Sequence, residues 1–208
     1  MTRIVEFYGL RRSGIHAIIH WMESNFNQIS KTGFLNDVDV WGRNRLIQTV
    51  IGHRKRGYKI LLLGYEDCDP NKSWFKQPKD KVVIVRDIIN VFASRYKAFG
   101  KGFVNKKIAD LWIQHANHPN IFKYEDFLLD KNKRDNLTQI FNIPNMDVTT
   151  FVSACANGSS FIGKQLDIVE NLLVRYKMID FLKETKQDRK STRLNSSHSS
   201  VSRMPSSA

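Results

Sequence analysis

A short apolar stretch, Ile4-Val5-Glu6-Phe7-Tyr8, runs into Gly9-Leu10-Arg11-Arg12-Ser13-Gly14 and on into Ile15-His16-Ala17-Ile18-Ile19-His20-Trp21. The first stretch predicts a strand. Ile15, Ile18, Ile19, Met22 and Phe26 recur at helical spacing and predict a helix over residues 15–26, with Ser13 as a candidate cap. Strand, glycine-framed loop and helix in that order confine the chain to a few architectures. They also aim backbone N–H groups and a helix N-terminus at one point, where an anion is favoured. Arg11 and Arg12 add fixed positive charge at that point. The glycine spacing matches a Walker A loop, but Ile15-His16 stand where that motif carries Lys-Ser or Lys-Thr. A nucleotide site is expected, and an ordinary Mg-ATP site is not.

Further along, residues 58–65 and 81–85 are continuous apolar runs, as in strands buried on both faces. Residues 120–124 read as a shorter strand. Helices are expected over 46–55, 88–99 (closed by Gly100 and Gly102), 108–116, 128–141 and 166–182. Residues 33–44 read as loop, and 66–80 as loop with one helical turn. Strands alternating with helices predict an α/β fold: three layers, α/β/α, around a central parallel sheet.

The chain has 208 residues and a net charge of +13. Its end reads as foreign. Residues 188–198, DRKSTRLNSSH, resemble a translated sequencing-library adapter, and residues 202–208 resemble further read-through. Residues 188–208 are therefore expected to be a disordered, non-native tail, which leaves the natural C-terminus in question. That tail carries four basic residues and one acid, so residues 1–187, one expected domain, keep a net +10. Such a balance points to an anionic partner. Two cysteines, Cys68 and Cys155, give no disulfide framework, and a reducing, cytoplasmic setting is expected. No run suits a membrane segment or a signal peptide.

A second constellation follows the strand at 81–85. Arg86 ends that strand, at the edge where open α/β sheets bind ligands, and Ser94 lies on the next helix. Together they could grip one phosphate; alternatively, Arg86 pairs with Asp87 at the surface. Glu66 closes the run 58–65. It reads either as an enclosed general base with a raised pKa or as a solvated loop acid beside Asp67 and Asp69. His53 and His115 are lesser candidates for a base. His16 and His20 have the spacing of a helical zinc pair, but no third ligand is evident, and no metal is expected. The basic run at residues 53–56 and the cation–aromatic mixture at residues 95–103 could touch a polyanion, though a solvated helix end and a pocket border are the plainer readings.

These segments carry a family resemblance. Gly9–His16 resembles the 5′-phosphosulfate loop of sulfotransferases that use 3′-phosphoadenylyl sulfate (PAPS). Residues 86–96 resemble that family's 3′-phosphate signature. Residues 122–128 and 141–144 resemble two later segments of it. The resemblance implies a P-loop NTPase-like sulfotransferase fold. It implies sulfuryl transfer from PAPS to a hydroxyl or amine, with release of adenosine 3′,5′-bisphosphate (PAP) and without a metal. It gives Arg12 the leaving phosphate, with Arg11 beside it. It gives the amides of Ser13, Gly14, Ile15 and His16 the 5′-phosphate, and gives Arg86 and Ser94 the 3′-phosphate. Glu66 falls where members place a proton acceptor. One of the family's two hydroxyl contacts is lost at Ile15, and the His16 ring would replace the second by donating a hydrogen bond. Lys164 falls near the family's C-terminal basic motif. The acceptor is expected to be a glycan, lipid, protein or small metabolite, and nucleic acid is not expected. Two rival classes remain: a P-loop nucleotide kinase or NTPase, and a non-enzymatic module that binds a polyanion.

Overall fold

The computed structural model describes residues 2–73, 75 and 80–145. The expected helix at 166–182, Cys155, Lys164 and the tail at 188–208 lie outside the described residues.

Each long apolar run becomes a strand. They are β1 (Arg3–Gly9), β3 (Ile60–Glu66) and β4 (Asp80–Val85), joined by the short β2 (Thr32–Leu35) and β5 (Ile121–Lys123). All pairings are parallel, in the order β2-β3-β1-β4-β5. The helices are α1 (Ile15–Phe26), α2 (Arg43–Lys55), α3 (Ile88–Phe99), α4 (Lys106–Ala116), α5 (Tyr124–Leu129) and α6 (Lys131–Phe141).

Alternation along β1 sorts the core into two faces. Val5 and Phe7 meet Ile18, Ile19, Met22 and Phe26 of α1, together with Phe127, Leu137 and Phe141 of α5 and α6. Tyr8, Leu61, Leu63 and Val83 face the other way, against Leu46 of α2 and Trp112 and Ala116 of α4. The result is the three-layer α/β/α arrangement that the alternation predicts. The second face holds a charged residue, Glu6, fully buried on the central strand. Tyr8, Tyr65 and Ser73 donate hydrogen bonds to its carboxylate at 3.2, 3.1 and 2.9 Å, which satisfies a group that burial would otherwise penalise.

Three local expectations need correction. Residues 33–44 are not all loop: Thr32–Leu35 pairs with β3, and Val38–Val40 is a 3-10 turn. Residues 128–141 are not one helix. Asp130 breaks the run, and its carboxylate caps α6 through the N–H groups of Asn132 and Lys133. Ser13 does not cap α1. Gly14 holds that position in the left-handed region (φ 89°), and the Ser13 hydroxyl is buried without a hydrogen-bond partner.

Chain order places the site. The connection leaving β1 runs to β2 on one side of the sheet, and the one leaving β4 runs to β5 on the other. β1 and β4 are neighbours, so their C-terminal ends flank a point where the winding reverses, the place where open α/β sheets hold ligands.

Candidate active site

Residues 10–14 cross from the end of β1 to α1 at that reversal point. Two residues there have positive φ, Arg12 (73°) and Gly14 (89°). Glycine accepts this conformation freely. It is required at 14 for a second reason: a Cβ there would lie 2.3 Å from the Tyr124 ring. Arg12 has no such freedom, and a non-glycine residue in the left-handed region costs about 1–2 kcal/mol. Its surroundings hold it there. Arg12 Nε donates to Ser94 Oγ at 3.1 Å, and Arg86 Nη1 donates to the Arg12 carbonyl at 3.1 Å.

Arg86 is fixed in turn. Its guanidinium lies 5.3 Å from the Tyr124 ring centroid, and its carbonyl accepts from Trp112 Nε1 at 2.8 Å. Asp87 caps α3 through the Asn90 N–H. Thus the loop after β1, the end of β4 and the middle of α3 meet. Arg12, read in the loop, bonds both to Ser94 and, through its carbonyl, to Arg86, the pair read together after the strand at 81–85.

The loop amides divide. Arg11 N–H donates to Asp67 Oδ1 at 3.0 Å, and Ser13 N–H closes a turn on the Leu10 carbonyl at 2.9 Å. Ser13 N–H is therefore committed inside the protein. Ile15 and His16 open α1, and N–H groups in a first helical turn have no intrahelical acceptor.

A buried arginine, read in the sequence only as part of the cation–aromatic mixture at residues 95–103, secures this loop. Arg95 is 1% exposed and grips Asp67 with two hydrogen bonds, 2.7 and 3.0 Å. It also donates to the carbonyls of Arg11 (3.3 Å) and Phe103 (2.9 Å). The signal was present: Arg95 stands four residues after Val91, on the face that α3 buries. Asp67, with φ 56°, also donates its N–H to the Gly9 carbonyl. The pair therefore ties the end of β3 to the start of the loop.

On the other flank, toward β2, the charges are mostly negative. Glu66 ends β3 and is 8% exposed. Arg11 Nε stands 3.3 Å from one of its oxygens and His16 Nε2 4.0 Å from the other. Arg11 Nη2 is 4.0 Å from Asp37. Asp39 Oδ1 accepts the Glu66 N–H at 3.1 Å. Burial first, and then the charge of Asp37, push Glu66 up to about 8 against the opposing pull of Arg11. The solvated-loop reading of Glu66 therefore fails.

His16 differs from the expectation. Its Nε2 lies 2.6 Å from Asn36 Oδ1, just beyond β2, so the hydrogen bond of that nitrogen is made across the site to an amide. His20 pairs separately with Glu23, and among the described residues no group of three His, Cys, Asp or Glu is placed to hold a metal. His53, in the last turn of α2, packs on Tyr58 just before β3 begins, at the sheet edge opposite Glu66. His115 is buried on α4 with Nε2 on the Cys68 carbonyl. Neither reaches the loop. Among the described residues no helix is long and apolar enough to cross a membrane.

The site thus joins a cluster of cationic side chains to a buried cluster of carboxylates and an imidazole. No family model, no curated protein and no solved structure matches the chain, so its functional reading rests on these residues.

Proposed function

We propose that the chain is a PAPS-dependent sulfotransferase with a P-loop-like site. The observation that carries the reading is the convergence of Arg12, Arg86 and Ser94 at the reversal point of the sheet. Two guanidinium groups and a hydroxyl from three separate elements suit a nucleotide that carries phosphate at two positions. The loop also lacks the Lys-Ser/Thr pair through which an NTPase holds Mg²⁺, which disfavours a kinase.

In the proposed reaction an acceptor hydroxyl or amine attacks sulfur in line. The bond from sulfur to the bridging phosphate oxygen breaks, and its electron pair leaves with PAP. Arg12 meets the charge that develops on that oxygen. The acceptor's proton passes to the cluster around Glu66. Most of the rate comes from positioning and fixed charge. The proposed setting is cytoplasmic, on the two-cysteine composition.

Calorimetry with PAP and with Mg-ATP tests this. Binding of PAP with little of Mg-ATP is expected. Tight Mg-ATP binding without PAP would transfer the chain to the NTPases. Steeply salt-dependent binding of a polyanion, indifferent to PAP, would make it a binding module.

A further inference from the structure

The side chains at the ends of β3 and β2 close a ring with the loop and α1. Arg11 lies against both Glu66 and Asp37 (3.3 and 4.0 Å). Asn36 Nδ2 donates to Asp37 Oδ2 at 3.0 Å, and Asn36 Oδ1 faces His16 Nε2 at 2.6 Å. His16 closes the circuit at 4.0 Å from Glu66. The direction of the hydrogen bonds follows from chemistry. Asp37 takes the amide N–H of Asn36, so the amide oxygen is turned to the histidine. An amide oxygen can only accept, so Nε2 must carry the proton, and the lone pair of the neutral ring sits on Nδ1. The ring is not sealed, since 18% of the His16 side chain is exposed.

We propose that His16, through Nδ1, is the proton acceptor of this site at neutral pH, and that Asn36 and Asp37 are the positioning residues that fix its tautomer. The proposal rests on the sulfuryl-transfer reading. In the step, the acceptor oxygen bonds to sulfur while its proton moves to Nδ1. The sulfur–oxygen bond to the 5′-phosphate breaks, and PAP departs with the electron pair. The imidazolium that forms then returns its proton to water.

The surroundings separate the two candidate bases. Glu66 is held up to about 8, so at neutral pH only the smaller part of its carboxyl is ionised and able to accept. His16 is held below its ordinary value, chiefly by burial, so at neutral pH its ring is mostly neutral. The groups facing it oppose one another. Asp37 and the Asn36 oxygen favour the imidazolium, as does Glu66 once ionised, while His20 and Arg12 disfavour it. The bases therefore predict different pH profiles. Acceptance by His16 gives an acidic limb below 6.5; acceptance by Glu66 gives one near 8.

The test reads tautomer and rate on the full chain. Nitrogen-15 NMR of the imidazoles, with the His16 signal identified by its loss in His16→Gln, should show a protonated Nε2 and a bare Nδ1. Asn36→Asp, which puts a carboxylate against Nε2–H, should move the titration of His16 to higher pH by about one unit. The acidic limb of PAPS hydrolysis, followed as PAP release with water as the acceptor, should move with it and should survive in Glu66→Gln. A neutral His16 protonated on Nδ1, read in the spectrum of the unsubstituted chain, overturns the proposal. A limb near 8 that vanishes in Glu66→Gln also overturns it and gives the proton to Glu66. Calorimetry with PAP separates the two levels: PAP binding with the wrong tautomer removes only His16, whereas no PAP binding removes the sulfotransferase reading and this proposal with it.

Discussion

The two flanks of the loop at residues 10–14 handle charge in opposite ways. Toward β4 the side chains are cations locked by partners: Arg86 on the Arg12 carbonyl, Arg12 on Ser94, Arg95 on Asp67. Their charge is permanent, and the fold spends hydrogen bonds on aiming it. Toward β2 the side chains are acids and an imidazole whose charge burial suppresses, in Glu66 and His16 alike. One flank offers a fixed field and the other a movable proton. A transfer reaction needs both, because charge must be stabilised where a bond breaks and a proton collected where one forms.

Removing the lock on the cationic flank should have the largest effect. Arg95→Ala removes the two guanidinium hydrogen bonds to Asp67, leaving it the Arg11 N–H, and loss of such a pair costs about 3–5 kcal/mol, to be read from urea unfolding. Arg12→Ala should leave stability nearly intact yet slow PAP release from PAPS by about 10²–10³-fold. If both variants lose stability equally, the cationic flank is scaffold and not machinery. Gly14→Ala combines a strained φ with a clash against Tyr124, and should cost about 2–3 kcal/mol in the same unfolding assay.

The proton-holding flank makes a prediction about stability against pH. Glu66 is raised to about 8 when folded, above the ordinary carboxylate value of 4.5. Between those values the folded state binds more protons than the unfolded state, so the group's contribution to stability falls as pH rises from 4.5 to 8 and then levels off. Glu66→Gln should flatten that slope, by at most a few kcal/mol across the window. An unchanged slope would mean that Glu66 is already ionised. The smallest effect on stability is expected from Arg12→Gly. It should relieve the left-handed backbone and stabilise the fold by about 1 kcal/mol while losing transfer, the usual exchange at a strained site.

How far the sequence shows these flanks depends on how far apart the partners lie along the chain. The strands at 60–66 and 80–85 and the helices at 15–26 and 88–99 are legible because apolar period and length agree. β2 is not, because Thr32-Gly33-Phe34-Leu35 is short, carries a glycine, and becomes a strand only by pairing with β3. Asp130 looks like one more polar residue until its carboxylate is seen to cap α6. In the site, Arg12, Arg86 and Ser94 could be found from local pattern, since loop and strand-end positions are marked in sequence. Local pattern marks Arg95 as buried but not its partner, and Asn36 and Asp67 likewise bond to residues that only the fold brings near. The Ser13 cap failed on local geometry: two left-handed residues beside it swing its hydroxyl inward.

The strand order has a consequence for how the molecule is made. Of the five strands described, β1 is synthesised first, yet its partners begin only at Ile60 on one side and Asp80 on the other. Until β3 and β4 follow, an apolar ribbon waits with both edges open, and the loop attached to it has nothing to close against. Parallel pairing at such separation is slow and exposes the growing chain to aggregation. The site is therefore assembled late: its first-made residues, Arg11 to His16, take their places only after the strands that end in Glu66 and Arg86 have docked on either side.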